Sequence, residues 1–477
     1  MAHGKYPRRV QNVGVSLSVT PARDGLPVLV VEDVNQAVQG VLRELLDRGS
    51  NVVTQSAAGG RPAQSSRELI AHHLVLKSPR KRILTIGQGP LRAVDAAARL
   101  AWEVGGSDRV ADISHYVAGA SRFTDNGLSM PGSNYGERLF QPRPNLDQLR
   151  GVVQRLSLEG GTRRAAAVVW SPEDATRESQ DIPCLFGFTF LVRDSKLTTI
   201  CFMRSNNAYT LLPVNLFEFT LLSEMVARAI GVELGDYHHF TSSMHLFERD
   251  FELAKSVIAD ARGQPELEMP PMPPTPDPFL QAREFSKLEA RTRTNASDLV
   301  DGEISQLIEH GTEVLSDYWM QFYRVLLAWN LAKVRRWDDA RFVADQLPLY
   351  FRGSVLRDVD TICQQLSEPT RPVGQHRFTV DGQWRARLPS SDMSPTSGEE
   401  DPGARFDQWL IPTLMEVEVN DGITPTLTEF ADVRRQLLPS LAGHERAPVG
   451  SPLSSSPRGI TQVDVRSALR QARTRAK

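Results

Sequence analysis

Residues 181–219, DIPCLFGFTFLVRDSKLTTICFMRSNNAYTLLPVNLFEF, decide how this chain is read. CLFGFTFLV (184–192) and KLTTICFM (196–203) are rich in β-branched and aromatic residues, and only Arg-Asp-Ser separates them. That is the signature of a β-hairpin. Cys184 stands directly after Pro183 at the mouth of the first strand, and Arg204 stands just past the second. An antiparallel hairpin with a short turn sets those two ends side by side. A thiol loses its proton near pH ~8.5 when unperturbed, and a fixed arginine lowers that value. Two readings fit the spacing: Cys184 is a small buried hydrophobe, or it is a nucleophile whose thiolate is held by Arg204.

Around the hairpin, RRAAAVVW (163–170) is an apolar run bounded by charge, as in a buried strand. VNLFEFTLLSEMVARAIGVELG (214–235) reads as a long helix ended by glycine, and YHHFTSSMHLFERD (237–250) as extended chain. Upstream, residues 26–49 run from a short extended piece into an amphipathic helix. Val38, Val41, Leu42, Leu45 and Leu46 form its stripe, and Gly49 closes it. Residues 94–117 form a second helical region broken at Gly105-Gly106, and 145–156 a third. Helices precede strands, which argues α+β rather than a repeating βαβ series.

A chain of 477 residues exceeds one ordinary core. The expected division is a loose N-terminus (1–25), a mixed α+β domain (26–262), a Pro-rich linker or wrapped surface segment (263–279), a helical region (280–365) and a largely disordered tail (366–477). The linker holds seven prolines, the tail is rich in Pro, Ser and Gly, and its last residues, 464–477, form a short basic helix candidate. The 55 basic residues nearly balance the 57 acidic ones, so charge gives no case for nucleic acid or a membrane surface. Three cysteines cannot build a disulfide scaffold, and their spacing fits no metal site. Neither an apolar run of about 18 residues nor a signal-peptide core is present, so the expected compartment is the cytoplasm.

Several motifs follow one another in a familiar order. They are SSRELIAHHLVLKSPRKRIL, RLAWEVGGSD, FTDNG with GSNYGERL, the Arg163-Arg164 pair before a strand, Pro183-Cys184, RSNN with LPVN, and GDYHHF with MHLF. Together they resemble the thymidylate synthase superfamily, in particular the bacterial and phage branch that includes pyrimidine nucleotide hydroxymethylases. The likeness runs from about residue 30 to 255, roughly half of the chain.

The resemblance implies a thymidylate-synthase-like mixed sheet with packed helices, in a homodimer with shared active sites. It implies folate-dependent transfer of a one-carbon unit from 5,10-methylenetetrahydrofolate to C5 of a pyrimidine nucleoside monophosphate, giving a methyl or hydroxymethyl product. Cys184 matches the nucleophile that adds to C6, Arg204 lies beside its thiolate, and Tyr135 matches the residue that helps remove the C5 proton. Arg204 and Ser205 match the phosphate motif, Arg163 and Arg164 the phosphate pair donated across the dimer, and Arg61 its fourth member. Asn215 matches the reader of the base edge and favours uracil, because an amide offers both a donor and an acceptor. His245 matches the contact to the sugar hydroxyl.

The pattern also breaks. Arg99 occupies the position of the family's proton-transfer glutamate, and a permanent cation cannot act as a base. Glu103 stands one helical turn further on. Asn207 replaces an aspartate that contacts the folate ring, Leu211 a glycine beside the base, and Phe247 a tyrosine that shares the sugar contact. Two further readings therefore stay open. One is a repurposed nucleotide-binding protein; the other is a folate-independent enzyme acting through the Cys184 adduct.

Overall fold

The structure is a computed structural model that describes residues 28–54, 63–86, 91–117, 119–141, 146–260, 267–275, 277–295, 299–300 and 302–367. The expected loose N-terminus, the expected tail from 368 onward and Arg61 lie outside the described residues.

The hairpin forms at the expected place. With elements numbered in chain order, its strands are β5 (Leu185–Arg193) and β6 (Lys196–Asn207). Asp194 and Ser195 join them with φ of 49° and 60°. Both turn residues in the left-handed region give the twist that suits paired strands. β6 extends further than its apolar run, so Arg204 and Ser205 lie inside the strand.

Five more strands complete a mixed sheet: β1 (Val28–Val31), β2 (Ser50–Thr54), β3 (Gln64–Leu76), β4 (Ala166–Val168) and β7 (Glu233–Phe247). The order is β1-β3-β7-β6-β5-β4, with β2 paired to β3. β1 with β3 and β6 with β7 are parallel; every other pair is antiparallel. The α+β expectation holds. One detail is corrected: RRAAAVVW yields only a three-residue edge strand, paired to β5 alone, in which Ala167 turns to the core and Ala166 and Val168 turn to the opposite, exposed face.

A parallel neighbour requires a crossover, and α6 (Leu212–Ile230) supplies it between β6 and β7. It is apolar on almost every face and buried along most of its length. With α1 (Val34–Arg48) and α2 (Ala93–Gly105) it shares a core with Phe188, Phe190, Met203, Tyr237 and Leu246 of the sheet. Among the described residues nothing covers the other face of the sheet: Val28, Val30, Val168 and Phe202 are 47%, 58%, 55% and 41% exposed.

Three short helices follow α2 before the hairpin: α3 (Val110–Ser114), α4 (Tyr135–Phe140) and α5 (Gln148–Leu158). After β7 comes α7 (Phe251–Ala259), then a Pro-rich stretch in which Met269 and Met272 are fully buried. Its five successors are α8 (Pro278–Thr294), α9 (Ile304–Val314), α10 (Asp317–Lys333), α11 (Trp337–Asp345) and α12 (Leu349–Ser367). These helices join the core of the sheet domain. Phe322 of α10 meets Phe217 of α6 at 6.3 Å, and Ser286 of α8 donates to the Ala101 carbonyl at 2.7 Å.

Candidate active site

Cys184 sits where the hairpin opens. The Arg204 N–H donates to the Cys184 carbonyl at 2.8 Å, confirming that the strand ends are adjacent. The guanidinium turns to the backbone that leads into the cysteine: Nε donates to the Pro183 carbonyl at 2.7 Å and Nη2 to the Ile182 carbonyl at 2.9 Å. Trp170 lies 5.9 Å from the same guanidinium. Arg204 thus braces the loop that carries the thiol. Its charge does pull the thiol pKa down, but burial is the larger effect and Asp181 adds to it, so the pKa is raised. The expected thiolate-favouring balance is corrected here: desolvation outweighs the arginine.

Tyr135 is brought to Cys184 by the packing of α4 on α2. Asn134 caps α4 and donates from Nδ2 to the carbonyls of Trp102 (3.0 Å) and Ser107 (2.6 Å). A Cβ on Gly136 would stand 1.5 Å from the Glu103 carbonyl oxygen, so only glycine permits this approach. Asp181 ties the same loop to the cysteine segment by accepting from Gly132 N at 2.6 Å and Ser133 Oγ at 2.5 Å. The tyrosine is buried, and burial holds its pKa well above the ordinary value. The neighbouring Cys184, Glu103 and Glu218 charges add to that, while a hydrogen bond with the Cys184 backbone opposes it.

Glu218 was not singled out from the sequence, although a glutamate inside the apolar run VNLFEFTLL is itself a signal. It is 5% exposed on α6. Burial pushes its pKa from an ordinary 4.5 up to about 7, opposed by Arg99. Glu103 is raised well above its ordinary value by burial, then by Glu218, again opposed by Arg99. The folded state therefore binds the Glu218 proton more tightly than the unfolded chain does. The stability this contributes is complete below about pH 4.5 and is lost as pH rises through about 7. Urea unfolding across that window should show wild type losing ~3 kcal/mol relative to Glu218→Gln.

The remaining predicted residues line β6, β7 and the entry to α6. Ser205 Oγ and His245 Nδ1 are 3.4 Å apart across the β6–β7 pair. His245 is held below its ordinary pKa, first by burial and further by Arg204, against the Ser243 backbone and Glu68. Asn206 Nδ2 donates to Asn215 Oδ1 at 2.6 Å, which leaves the Asn215 Nδ2 group to meet an acceptor. Asn207 is buried, and its Oδ1 accepts from Tyr209 N (3.0 Å) and Thr210 N (2.8 Å), closing the turn into α6.

Cys184, Arg204 and Tyr135 are thus brought together, with Ser205 and His245 beside one another. Arg163 and Arg164 are not: both are exposed, and Arg164 bonds Glu159 at 2.6 Å. Among the described residues one surface hollow is lined by Arg43, Arg67 and Lys255 and another by Trp102, Glu289 and Arg293, and Cys184 lines neither of these. Among the described residues no group of three or more His, Cys, Asp or Glu side chains could hold a metal ion. No described helix is long and apolar enough to cross a membrane.

Residues 91–289 match the family model for thymidylate synthase. A deoxyuridylate hydroxymethyltransferase from Bacillus phage SP01 is 27% identical over 218 residues, covering 43% of this chain and 57% of the relative. A Methanocaldococcus jannaschii protein, provisionally named a thymidylate synthase, is 32% identical over 135 residues, covering 27% of this chain and 61% of that one. The chain therefore spans 57% to 61% of these relatives' lengths. Thermostable thymidylate synthase A from Bacillus subtilis superposes with a TM-score of 0.40 at 20% identity, over 48% of this chain and 84% of that one.

Proposed function

We propose that this chain, whose residues 91–289 match the thymidylate synthase family model, transfers a one-carbon unit to C5 of a pyrimidine nucleoside monophosphate through a Cys184–C6 adduct. The observation that carries the reading is the hydrogen bond that joins the Tyr135 hydroxyl to the Cys184 backbone at the braced hairpin mouth. Addition of sulfur to C6 makes C5 nucleophilic, and a proton must later leave C5. In this reading Tyr135 assists its removal. The free Nδ2 of Asn215 suits O4 of a uracil ring, Ser205 and His245 suit phosphate and sugar hydroxyl, and Arg204 completes the phosphate seat.

The carrier implied by the family is 5,10-methylenetetrahydrofolate. Asn207 does not fit the role of its ring contact, since it is buried and its acceptor oxygen is already used by two backbone N–H groups. All three cysteines are free thiols, which suits the cytoplasm.

The working unit in this reading is a homodimer in which Arg163 and Arg164 serve the partner's phosphate site and the uncovered sheet face forms the interface. Along one register row Val168, Gly187, Phe202, Phe240, His73 and Val28 stand side by side. Phe202 stacks on Phe240 at 5.6 Å, and Phe240 on His73 at 3.8 Å. The apolar members of this row, Val168, Phe202, Phe240 and Val28, favour burial against a like surface. Phe202→Glu should raise the dimer dissociation constant by about 100-fold or more, ~3 kcal/mol, in sedimentation equilibrium. A variant as dimeric as wild type would remove this interface from the reading.

The function is tested by tritium release from C5-labelled UMP, dUMP, CMP and dCMP, each with and without methylenetetrahydrofolate. Folate-dependent release from a uracil nucleotide is the expected result. Release that ignores folate identifies an adduct-forming enzyme without folate chemistry. No release from a nucleotide that binds leaves the nucleotide-binding reading, which Arg99 favours.

A further inference from the structure

The carboxylate displaced by Arg99 has two candidate successors, and they approach from different helices. Glu103 lies four residues after Arg99 on α2, and so on the same face. Glu218 lies three residues after Asn215 on α6, one turn along from the residue expected to read the base. The charges of both carboxyls act on the Tyr135 hydroxyl, which is hydrogen-bonded to the Cys184 backbone. Arg99 lies close enough for its charge to act on both carboxyls.

A glutamate kept only for structure has its oxygens satisfied. Glu224, on the same helix, is such a case: it accepts from Arg82 Nη2 (2.7 Å), Met272 N (2.8 Å) and the Tyr318 hydroxyl (3.3 Å). Glu218 differs. Its Oε1 is buried with no hydrogen-bond partner among the described residues. An unsatisfied buried carboxyl oxygen carries a cost that packing does not explain, and the charge of this carboxyl reaches the Tyr135 hydroxyl.

We propose that Glu103 and Glu218 hold one proton between them and act as the acid–base pair at the pyrimidine, with Arg99 balancing their remaining negative charge. The assignment rests on the C5 reading above and supplies its missing proton carrier. The Cys184 proton leaves to solvent and Sγ bonds to C6, sending the C5–C6 π pair toward C5 and O4. The carboxylic acid of the pair gives its proton to C5. The carboxylate takes the original C5 hydrogen as the Sγ–C6 bond breaks and the C5=C6 bond re-forms. Thiolate departs and regains a proton. The net change is exchange of the C5 hydrogen with solvent, with no oxidant or reductant. In one-carbon transfer the same carboxylate removes the C5 proton.

The test is C5 tritium release by the full chain as a function of pH, with nucleotide affinity measured in parallel. Glu218→Gln should lower release by about 10²- to 10⁴-fold while the nucleotide dissociation constant changes by less than about threefold. Glu103→Gln should move the midpoint of the pH profile, a readout that a merely structural glutamate would leave in place. If Glu218→Gln fails to fold, Glu218→Asp, which keeps the carboxyl, should retain part of the release with a shifted midpoint. Wild-type rates and an unmoved midpoint in the folded variants overturn the pair and spare the C5 reading. A wild-type chain that binds nucleotide but releases no tritium overturns both.

Discussion

Cys184→Ser should abolish C5 tritium release, a loss of about 10⁴-fold or more, while nucleotide affinity stays within a fewfold of wild type. The serine hydroxyl fills the same place but ionises far less readily than a thiol, and it is a weaker nucleophile toward C6. Little else in the site depends on the sulfur. Arg204 bonds the carbonyls of Ile182, Pro183 and Cys184 through its own N–H groups, and none of those acceptors is a side chain. The binding residues on β6 and β7 keep their supports, because the Ser205–His245 and Asn206–Asn215 contacts do not involve Cys184. Release retained in Cys184→Ser would exclude the covalent adduct. Affinity lost along with release would instead make Cys184 part of the scaffold.

Arg82→Met should cost about 3–5 kcal/mol in urea unfolding, because it leaves Glu224 as an uncompensated buried anion. Both residues are essentially inaccessible, at 0% and 1% side-chain exposure, and their nitrogen and oxygen lie 2.7 Å apart. Glu224 also holds Met272 of the Pro-rich stretch and Tyr318 of α10, so one carboxylate fastens three segments to α6. The double change Arg82→Met with Glu224→Leu should recover part of the loss, since removing both charges leaves no buried ion unpaired. If the single change costs less than about 1 kcal/mol, water reaches Glu224 and the region is looser than its packing implies.

How much of this was readable in the sequence divides by distance along the chain. The hairpin, its short turn and the adjacency of Cys184 to Arg204 follow from alternating side chains over some twenty residues, where local geometry leaves few options. The long α6 helix was equally plain, since its apolar run exceeds any strand length. Strand β3 was not, because Arg67, Glu68, His72 and His73 interrupt its pattern; its place is decided by β7, some 170 residues away.

The site divides in the same way. Motif order pointed to Cys184, Tyr135, Ser205, Asn215 and His245, and the spacing of α2 pointed to Glu103 as a neighbour of Arg99. That Glu218 meets them, and that Glu224 is satisfied while Glu218 is not, depends on how α2, α4 and α6 close around one another. So does the state of Cys184, where proximity to Arg204 was foreseeable but the larger effect of burial was not. Sequence by itself determined which groups are present and which near neighbours share a strand or helix face. Only the tertiary structure decided which of them lose water, because desolvation is set by everything packed around a group rather than by the residues beside it in the chain.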